Sequence, residues 1–511
     1  MNWLATLTSV GVAFIPLLLL VFMITSASFA RLVPGKMSTY TLITFGFLWL
    51  CTLVTLGLII FNGPIDGSLL NFSQVSIFGF LADRLSLVLV LLVITVSGTV
   101  HLYSLRAMQE EQHFQRYFTL LTLITLEVVL VVLANNLLML GIFWIIKGLT
   151  LTLLLAHYRH RPASRRAALK KLSIDLIGDA AFIAALALTW DIFGTFELKA
   201  INSLAANATQ NQFDYRMTLL TALLFVAIMA KSAQFPLHSW LPDSVEAPTP
   251  VSALMHAGLI NAGGFLFIRL SSLFLATPLT MGLAIAIGGF TAFYGTLLML
   301  TRPDVKGMLV YSTMGQMGFM ILECGLGVFV LATLHLVAHG LFKATLFLSS
   351  GSIIQQKSTL QLIAPPQQHS SNGQPTARFL LVGLLAAITL FLAPVLIGFS
   401  LSTGTILLAF AWITLAWAFT EINSLPLALL LPGTVIVSLL YLVSIHAIEG
   451  FFSPAIATNP VIDTTLAVVC AGGLVSVGLI AIVLKNSNRP DWLNKLFTKL
   501  YVRLLFTGYG K

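Results

Sequence analysis

The sequence contains few charged residues. Only 9% of its 511 residues are Asp, Glu, Lys or Arg, whereas 58% are hydrophobic. Ordinary soluble domains carry roughly 25% charged residues. A soluble fold could not remove so much apolar surface from water, but a lipid bilayer accepts it. The composition therefore excludes an ordinary soluble protein and indicates an integral membrane protein.

Cysteine is also scarce. The sequence has three, Cys51, Cys324 and Cys470, and each lies within an apolar run. Three scattered thiols make neither a disulfide framework nor a metal site. Cysteine usage therefore says little about the compartment in which the protein works.

Long apolar runs fill most of the chain. A membrane-spanning helix needs about 20 mostly apolar residues. We predict about fifteen such helices, an all-α polytopic protein, at 4–30, 40–61, 85–105, 114–134, 137–157, 171–194, 216–237, 249–274, 278–301, 304–326, 327–354, 379–400, 402–420, 425–447 and 461–484. The first run lacks the basic n-region and small-residue cleavage site of a signal peptide, so we interpret it as a retained helix.

The net charge of +9 is unevenly distributed. If the N-terminus is outside, basic residues concentrate on the cytoplasmic side, above all in the cluster from Arg159 to Lys171 and at the C-terminus. This is the positive-inside pattern, so the charge indicates topology and contact with anionic lipid rather than nucleic acid. We predict that residues 485–511 form a basic amphipathic cytoplasmic tail, with a helix from Arg489 to Gly508 on the membrane surface; a disordered tail is the alternative.

Several ionisable side chains interrupt the apolar runs. A charge at bilayer depth costs about 2.5–3.5 kcal/mol on insertion scales, so such residues usually have a function. His335, His339 and Lys343 have helical spacing and share one face. Histidine titrates near neutrality, and burial brings Lys toward it, so both can pass protons. The predicted ion pathway consists of Lys231, His256, Lys306, His335, His339 and Lys343.

The buried histidines have alternative interpretations, and two further charges need an explanation. The His335–His339 spacing could bind a metal, but the neighbouring sequence offers no third ligand, so we predict no metal site. A single buried His256 is typical of packing rather than function. Glu127 and Lys147 flank a short turn at similar depths, and a buried ion pair would lower the cost of both. Separate snorkelling of the two side chains is the other explanation.

Two prolines indicate interrupted membrane helices. Pro236 follows Lys231, and Pro394 lies in the predicted twelfth span. Paired broken helices in corresponding positions are typical of inverted-repeat transporters, whose sites lie at the breaks. Proline is common in membrane helices, so this pattern alone is weak.

Three strings carry a resemblance to a known family. AKSAQFPLHSWLPDSVEAPTPVSALMHAG, RPDVKGMLVYSTMGQMGFM and LHLVAHGLFKATLFLSSGSII closely resemble the antiporter-like subunits of respiratory complex I and Mrp antiporters. The resemblance implies two inverted five-helix repeats with broken helices near Lys231 and Pro394, and a hydrated axis through the six pathway residues. The implied divisions are N-terminal transmembrane helices at 1–113, repeats at 114–274 and 278–420, C-terminal transmembrane helices at 425–484 and the tail at 485–511.

The departures from this family narrow the resemblance. The family's fifth helix carries a Trp-Glu pair, but here Ile145 follows Trp144 and the nearest charge is Lys147. The twelfth helix normally carries a second Lys, whereas this run has Thr389 before Pro394. These losses, the moderate length and the basic tail resemble the membrane subunits of bacterial DabA–DabB inorganic-carbon accumulation systems.

That narrower resemblance implies a function. The chain would conduct protons, or sodium ions, in the bacterial inner membrane and drive CO2 hydration in a large peripheral DabA-like zinc protein resembling a carbonic anhydrase. The sequence has no Cys/His/Asp cluster for a catalytic zinc, so we expect neither a cofactor nor an enzyme active site in this chain. The alternatives are a redox-linked proton-pumping subunit of a complex I-like or hydrogenase assembly, and a membrane anchor that transports nothing.

Overall fold

The computed structural model describes residues 3–32, 34–72, 75–108, 110–207, 215–363 and 427–457, with a few positions between 381 and 389. These residues fall into two compact units. The first contains the described residues up to Gly325, together with Ala332–Ile354 and Ala455–Ala457. All the contacts described below lie within this first unit.

Helices dominate the chain from its start. The elements up to residue 193 are α1 (Trp3–Leu32), α2 (Met37–Asn62), β1 (Ile65–Phe72), β2 (Val75–Ala82), α3 (Arg84–Ala107), α4 (Phe114–Leu133), α5 (Leu137–Leu155) and α6 (Pro162–Phe193). They are followed by α7 (Leu198–Asn207), α8 (Tyr215–Lys231), α9 (Trp240–Asp243), α10 (Thr249–Ala257), α11 (Ala262–Arg269), α12 (Ser271–Leu275), α13 (Pro278–Leu300), α14 (Val305–Gly325), α15 (Phe329–Ile363) and α16 (Leu427–Phe452).

Nine helical segments among the described residues are long and apolar enough to cross a membrane. Inside a bilayer no water can bond the backbone, so its N–H and C=O groups must bond each other, and an α-helix allows this within one segment. These helices confirm the predicted fold class, an all-α polytopic membrane protein. The predicted spans at 402–420 and 461–484, Pro394 and the tail at 485–511 lie outside the described residues. The two inverted repeats and the domain boundaries therefore stay predictions.

A β-hairpin connects α2 to α3, and the sequence analysis assigned no element to this connection. Strands β1 and β2 pair antiparallel, with Ile65 opposite Ala82 and Phe72 opposite Val75. The connection is too short to span a bilayer, and strand pairing satisfies its backbone groups instead. Asp66, in β1, accepts a hydrogen bond from Asn135 and pairs with Lys199.

The helices that carry the candidate site pack closely. Helix α6 packs against both α5 and α8. A Cβ at Gly178 of α6 would lie 2.6 Å from the Ala230 Cβ of α8, so a small residue is needed for this approach. Small residues at helix contacts are the usual means of close packing in membranes. This packing places the polar side chains of α6 beside the end of α8.

Candidate functional site

Helix α8 ends at Lys231, which confirms the predicted break near this residue. Ala233, just beyond the break, has a left-handed φ of 49°, a conformation that is uncommon for a residue with a Cβ. The interrupted backbone finds new partners: the Trp240 indole N–H donates to the Ala230 carbonyl over 3.1 Å, and the Gln234 N–H donates to the Met229 carbonyl. Replacement partners of this kind make a broken helix tolerable at membrane depth.

The Lys231 ammonium lies between two carboxylates of α6. Its Nζ is 3.0 Å from Asp179 Oδ1 and 3.3 Å from Asp175 Oδ2. Asp175 also forms an ion pair with Lys171, one turn earlier on α6. All four residues are buried. A buried charge is tolerated when it is paired, so these ion pairs explain how several charges persist at this depth.

The sequence analysis missed Asp175 and Asp179. A signal was present, because Lys171, Asp175 and Asp179 recur every four residues within a long apolar helix and share one face. The same spacing drew attention to His335, His339 and Lys343. What the sequence could not show is that this face of α6 packs against the end of α8.

The structure contradicts a direct ion pair between Glu127 and Lys147. One carboxylate oxygen of Glu127 accepts a hydrogen bond from the Thr150 hydroxyl at 2.7 Å. The other oxygen of Glu127 and the Lys147 Nζ have no hydrogen-bond partner among the described residues. Neither side chain reaches solvent within the described chain, with 1% of Glu127 and 3% of Lys147 exposed, so separate snorkelling is excluded as well. Thr150, one turn after Lys147, thus bonds one carboxylate oxygen, and the charge of Lys147 acts on Glu127 without a direct contact. A modulating role for the two residues stays a prediction.

Lys147 also belongs to the surroundings of the Lys231 ion pairs. Its Nζ lies over the Trp144 ring, 4.7 Å from the centroid. The charge of Lys147 interacts electrostatically with Lys231, Lys171, Asp175 and Asp179. Gly148, the next residue, leaves room for this cluster, because a Cβ there would meet Lys231 Nζ and Asp175 Oδ2.

His256 is fully buried in α10. Its ring stacks on Phe347 with centroids 4.4 Å apart and an interplanar angle of 9°. Neither ring nitrogen has a hydrogen-bond partner among the residues that the structure describes. The charges of Lys343 and Lys306 both act on this ring. Its place in an ion pathway stays a prediction.

Two pathway lysines donate to backbone carbonyls. Lys306, at the start of α14, donates to the Val245 and Ala247 carbonyls at 2.5 and 2.7 Å. Lys343, buried in α15, donates to the Leu309 carbonyl at 3.3 Å. A carbonyl compensates an ammonium less completely than a carboxylate does, because it carries no net charge. These lysines therefore differ in their partners from Lys231.

The predicted stripe on α15 contacts an acidic residue of α14. His335 forms hydrogen bonds of 2.9 Å with Glu323 and with Gln316, both on α14. The rings of His335 and His339 lie 6.2 Å apart, centre to centre. His339 is buried and has no hydrogen-bond partner among the described side chains and backbone. Glu323 was missed from the sequence because its partner lies on a different helix.

The arrangement brings nitrogen bases within ion-pair or hydrogen-bond distance of carboxylates at Lys231 and at His335. Two charged clusters, one around Lys231 and one around His335, lie within the first unit. In the described part of the chain, no group of three His, Cys, Asp or Glu side chains is placed to hold a metal ion.

Comparison with known families gives two matches. Residues 134–430, more than half of the chain, match the transmembrane family of NADH:quinone oxidoreductase and Mrp antiporters. Residues 72–118 match the N-terminal family of complex I chain 5.

The curated relatives include an inorganic carbon transporter subunit and a quinone oxidoreductase subunit. The chain is 42% identical over 276 residues to "Probable inorganic carbon transporter subunit DabB1" of Halothiobacillus neapolitanus, a match covering 54% of this chain and 49% of that protein. It is 37% identical over 297 residues to the chloroplastic NAD(P)H-quinone oxidoreductase subunit 5 of Ranunculus macranthus, covering 57% and 40%. The matched segment thus spans about half the length of these relatives or less.

Solved structures share the fold. A chain of the Mrp complex from Dietzia sp. DQ12-45-1b matches 96% of this chain and 60% of its own length, with a TM-score of 0.65 and 22% identity. A chain of the archaeal membrane-bound sulfane sulfur reductase matches 97% of both chains, with a TM-score of 0.59 and 18% identity. Together with the family match, these findings show that the chain belongs to the antiporter-like transmembrane family of NADH:quinone oxidoreductases and Mrp antiporters.

Proposed function

We propose that this chain is the proton-conducting membrane subunit of an energy-coupled inorganic-carbon accumulation complex. The observation that carries the proposal is the pairing of Lys231 with Asp175 and Asp179 at the end of a broken membrane helix. A lysine held between two carboxylates can give up or take back a proton as their distances change. The other predicted pathway residues, His256, Lys306, His335, His339 and Lys343, would continue the path.

The residue types favour protons over sodium. Hard cations prefer several oxygen ligands, whereas the predicted path consists mainly of nitrogen bases. Oxygens occur nearby in Ser252, Ser312, Thr313 and Gln316, and the Gln316 oxygen forms a hydrogen bond with His335. Sodium remains the alternative ion.

The proposed partner is a peripheral DabA-like zinc protein that hydrates CO2 to bicarbonate. The support for this partner is the 42% identity to the relative named as an inorganic carbon transporter subunit. Ile145 and Thr389, where this chain departs from the complex I pattern, also support a DabA-like partner. Ion flux through this chain would supply the energy, and the zinc chemistry would lie in the partner. We propose a bacterial inner-membrane location with the N-terminus outside and the C-terminus cytoplasmic.

A redox-linked proton pump is the second candidate. It is favoured by the 37% identity to a quinone oxidoreductase subunit. Purification through a tag on this chain separates the two candidates. Recovery of one large zinc protein supports the carbon pump, whereas recovery of quinone-binding or iron–sulfur subunits supports the redox complex.

The coupling ion is tested by uptake of radiolabelled inorganic carbon into cells that express the complex. We expect a protonophore to stop uptake without dissociating the complex, and sodium replacement to have little effect. Uptake that survives the protonophore but fails without sodium would overturn the proton assignment.

A further inference from the structure

Ser232 lies at the interruption that follows α8, directly after Lys231. Its hydroxyl donates a hydrogen bond of 2.7 Å to the Ile260 carbonyl. Both residues are buried, with 1% of each exposed. Because 28 positions separate them in the sequence, this bond joins two different parts of the chain.

Ile260 lies at a second helix interruption. A short 3₁₀ helix, Leu259–Asn261, separates α10 from α11. Helix α10 carries His256, which precedes Ile260 by four residues. The Ser232 bond therefore connects the helix break beside Lys231 with the helix break beside His256.

The two interruptions also pack against each other without a gap. A Cβ at Gly263, the second residue of α11, would collide with the Ser232 hydroxyl and would lie 3.0 Å from the Ile228 carbonyl oxygen of α8. Glycine is the residue that permits so close an approach between two segments. The absence of a side chain at Gly263 thus gives the hydroxyl the space from which it bonds Ile260.

The partner of the Ser232 hydroxyl is unusual for a membrane helix. Serine and threonine hydroxyls in helices often bond the carbonyl four residues earlier in the same helix. In this chain Thr221 of α8 donates to the Met217 carbonyl in this way. The Ser232 hydroxyl instead bonds another segment, and hydrogen bonds between helices hold membrane segments together.

We propose that Ser232 is a positioning residue that couples movement of Lys231 to the segment of α10 and α11 that carries His256. This role rests on the proposed function. Lys231 lies between two carboxylates of α6, so a change in those distances moves the chain at the end of α8. Because the next residue is bonded to Ile260, the second interruption must follow or the bond must break. Chains of hydrogen bonds and packed groups carry coupling of this kind.

Hydrogen–deuterium exchange measures the coupling independently of transport. In the complex purified through this chain, Asp179→Asn should speed amide exchange around Lys231 and also around Ile260. When Ser232→Ala is added, exchange around Ile260 should no longer respond to Asp179→Asn. Asp179→Glu, which keeps the charge but moves it, provides the perturbation if Asp179→Asn prevents assembly. An equal response around Ile260 with and without the hydroxyl would overturn the proposal, and so would no response in either protein.

Proton flux tests the role in transport. In liposomes holding the purified complex, Ser232→Ala should lower flux by about tenfold, the effect of ~1.4 kcal/mol on the barrier. Gly263→Ala should act alike, because the new methyl group displaces the hydroxyl. Since both changes remove the same bond, the double variant should be no worse than the more impaired single variant. Ser173→Ala is the matched control, because the Ser173 hydroxyl bonds a carbonyl of its own helix at an exposed position.

The outcomes separate this inference from the proposed function. If the unaltered complex conducts no protons, the proposed function fails, and the exchange measurement still decides the coupling. If the unaltered complex conducts and Ser232→Ala conducts equally well, the positioning role is wrong while proton conduction stands. Independent effects of Ser232→Ala and Gly263→Ala on flux would also contradict a shared bond.

Discussion

Lys231 ends α8 with its ammonium 3.0 Å from the Asp179 carboxylate of α6. Asp175, one turn earlier, is close enough to pair with Lys231 and also pairs with Lys171. The number of carboxylates near Lys231 therefore depends on how α6 and α8 pack. A small shift between these helices would change the stability of the charged lysine, which is the property a proton pathway needs.

Removing Lys231 should abolish function without preventing membrane insertion. We expect Lys231→Ala to eliminate growth of a carbonic-anhydrase-deficient host in ambient air, because the buried proton-exchanging group is lost. Membrane abundance is measured in parallel. Lys199→Ala is the control, since Lys199 forms a half-exposed pair with Asp66. Normal growth of the Lys231 variant would remove this residue from the pathway.

The two aspartates should differ in importance. Asp175→Asn breaks the ion pairs with both Lys171 and Lys231, whereas Asp179→Asn breaks only the ion pair with Lys231, so the first should be more harmful. Breaking a buried ion pair typically costs about 3–5 kcal/mol. Thermal unfolding in detergent and proton flux in liposomes provide the measurements. Asp191→Asn is the control and should change neither the unfolding temperature nor the proton flux, because that carboxylate is largely exposed. If Asp175→Asn is tolerated equally well, the buried ion pairs around Lys231 do not matter for stability or flux.

Gly148→Ala should damage the site through sterics alone. The new methyl group would lie 2.8 Å from Asp175 Oδ2 and would also meet Lys231 Nζ, so the ion pairs must shift. We expect lower proton flux and a lower unfolding temperature. Gly57→Ala is the comparison, because a Cβ there meets nothing within 4 Å and alanine favours the helix. If the two variants behave alike, α5 does not approach the cluster as described.

Glu127 should couple to Thr150. A double-mutant cycle of Glu127→Gln and Thr150→Val should show a coupling energy of about 1.5–3 kcal/mol, the range for a hydrogen bond to a charged group. The cycle of Glu127→Gln with Lys147→Met should give a smaller value, since no direct bond joins these residues. Unfolding in detergent supplies the free energies. The reverse order of the two couplings would restore the ion pair predicted from the sequence.

Much of the architecture follows from the sequence alone. Apolar runs of about 20 residues dictate membrane helices, because hydrocarbon excludes unpaired backbone groups. The break after Lys231 was predicted from Pro236 and from the family resemblance, and the structure confirms it. Periodicity also placed His335, His339 and Lys343 on one helix face.

The partners of those residues were decided only by the tertiary structure. Asp175 lies fifty-six positions before Lys231, and the two meet because Gly178 lets α6 approach Ala230 of α8. Glu127 was expected to pair with Lys147, yet it bonds Thr150. Sequence periodicity shows on which face of a helix a charge lies. Only the packing of the helices determines which residues of a neighbouring helix that face contacts. Because the attraction between two charges grows as the distance between them falls, the pairing of buried charges depends on that packing.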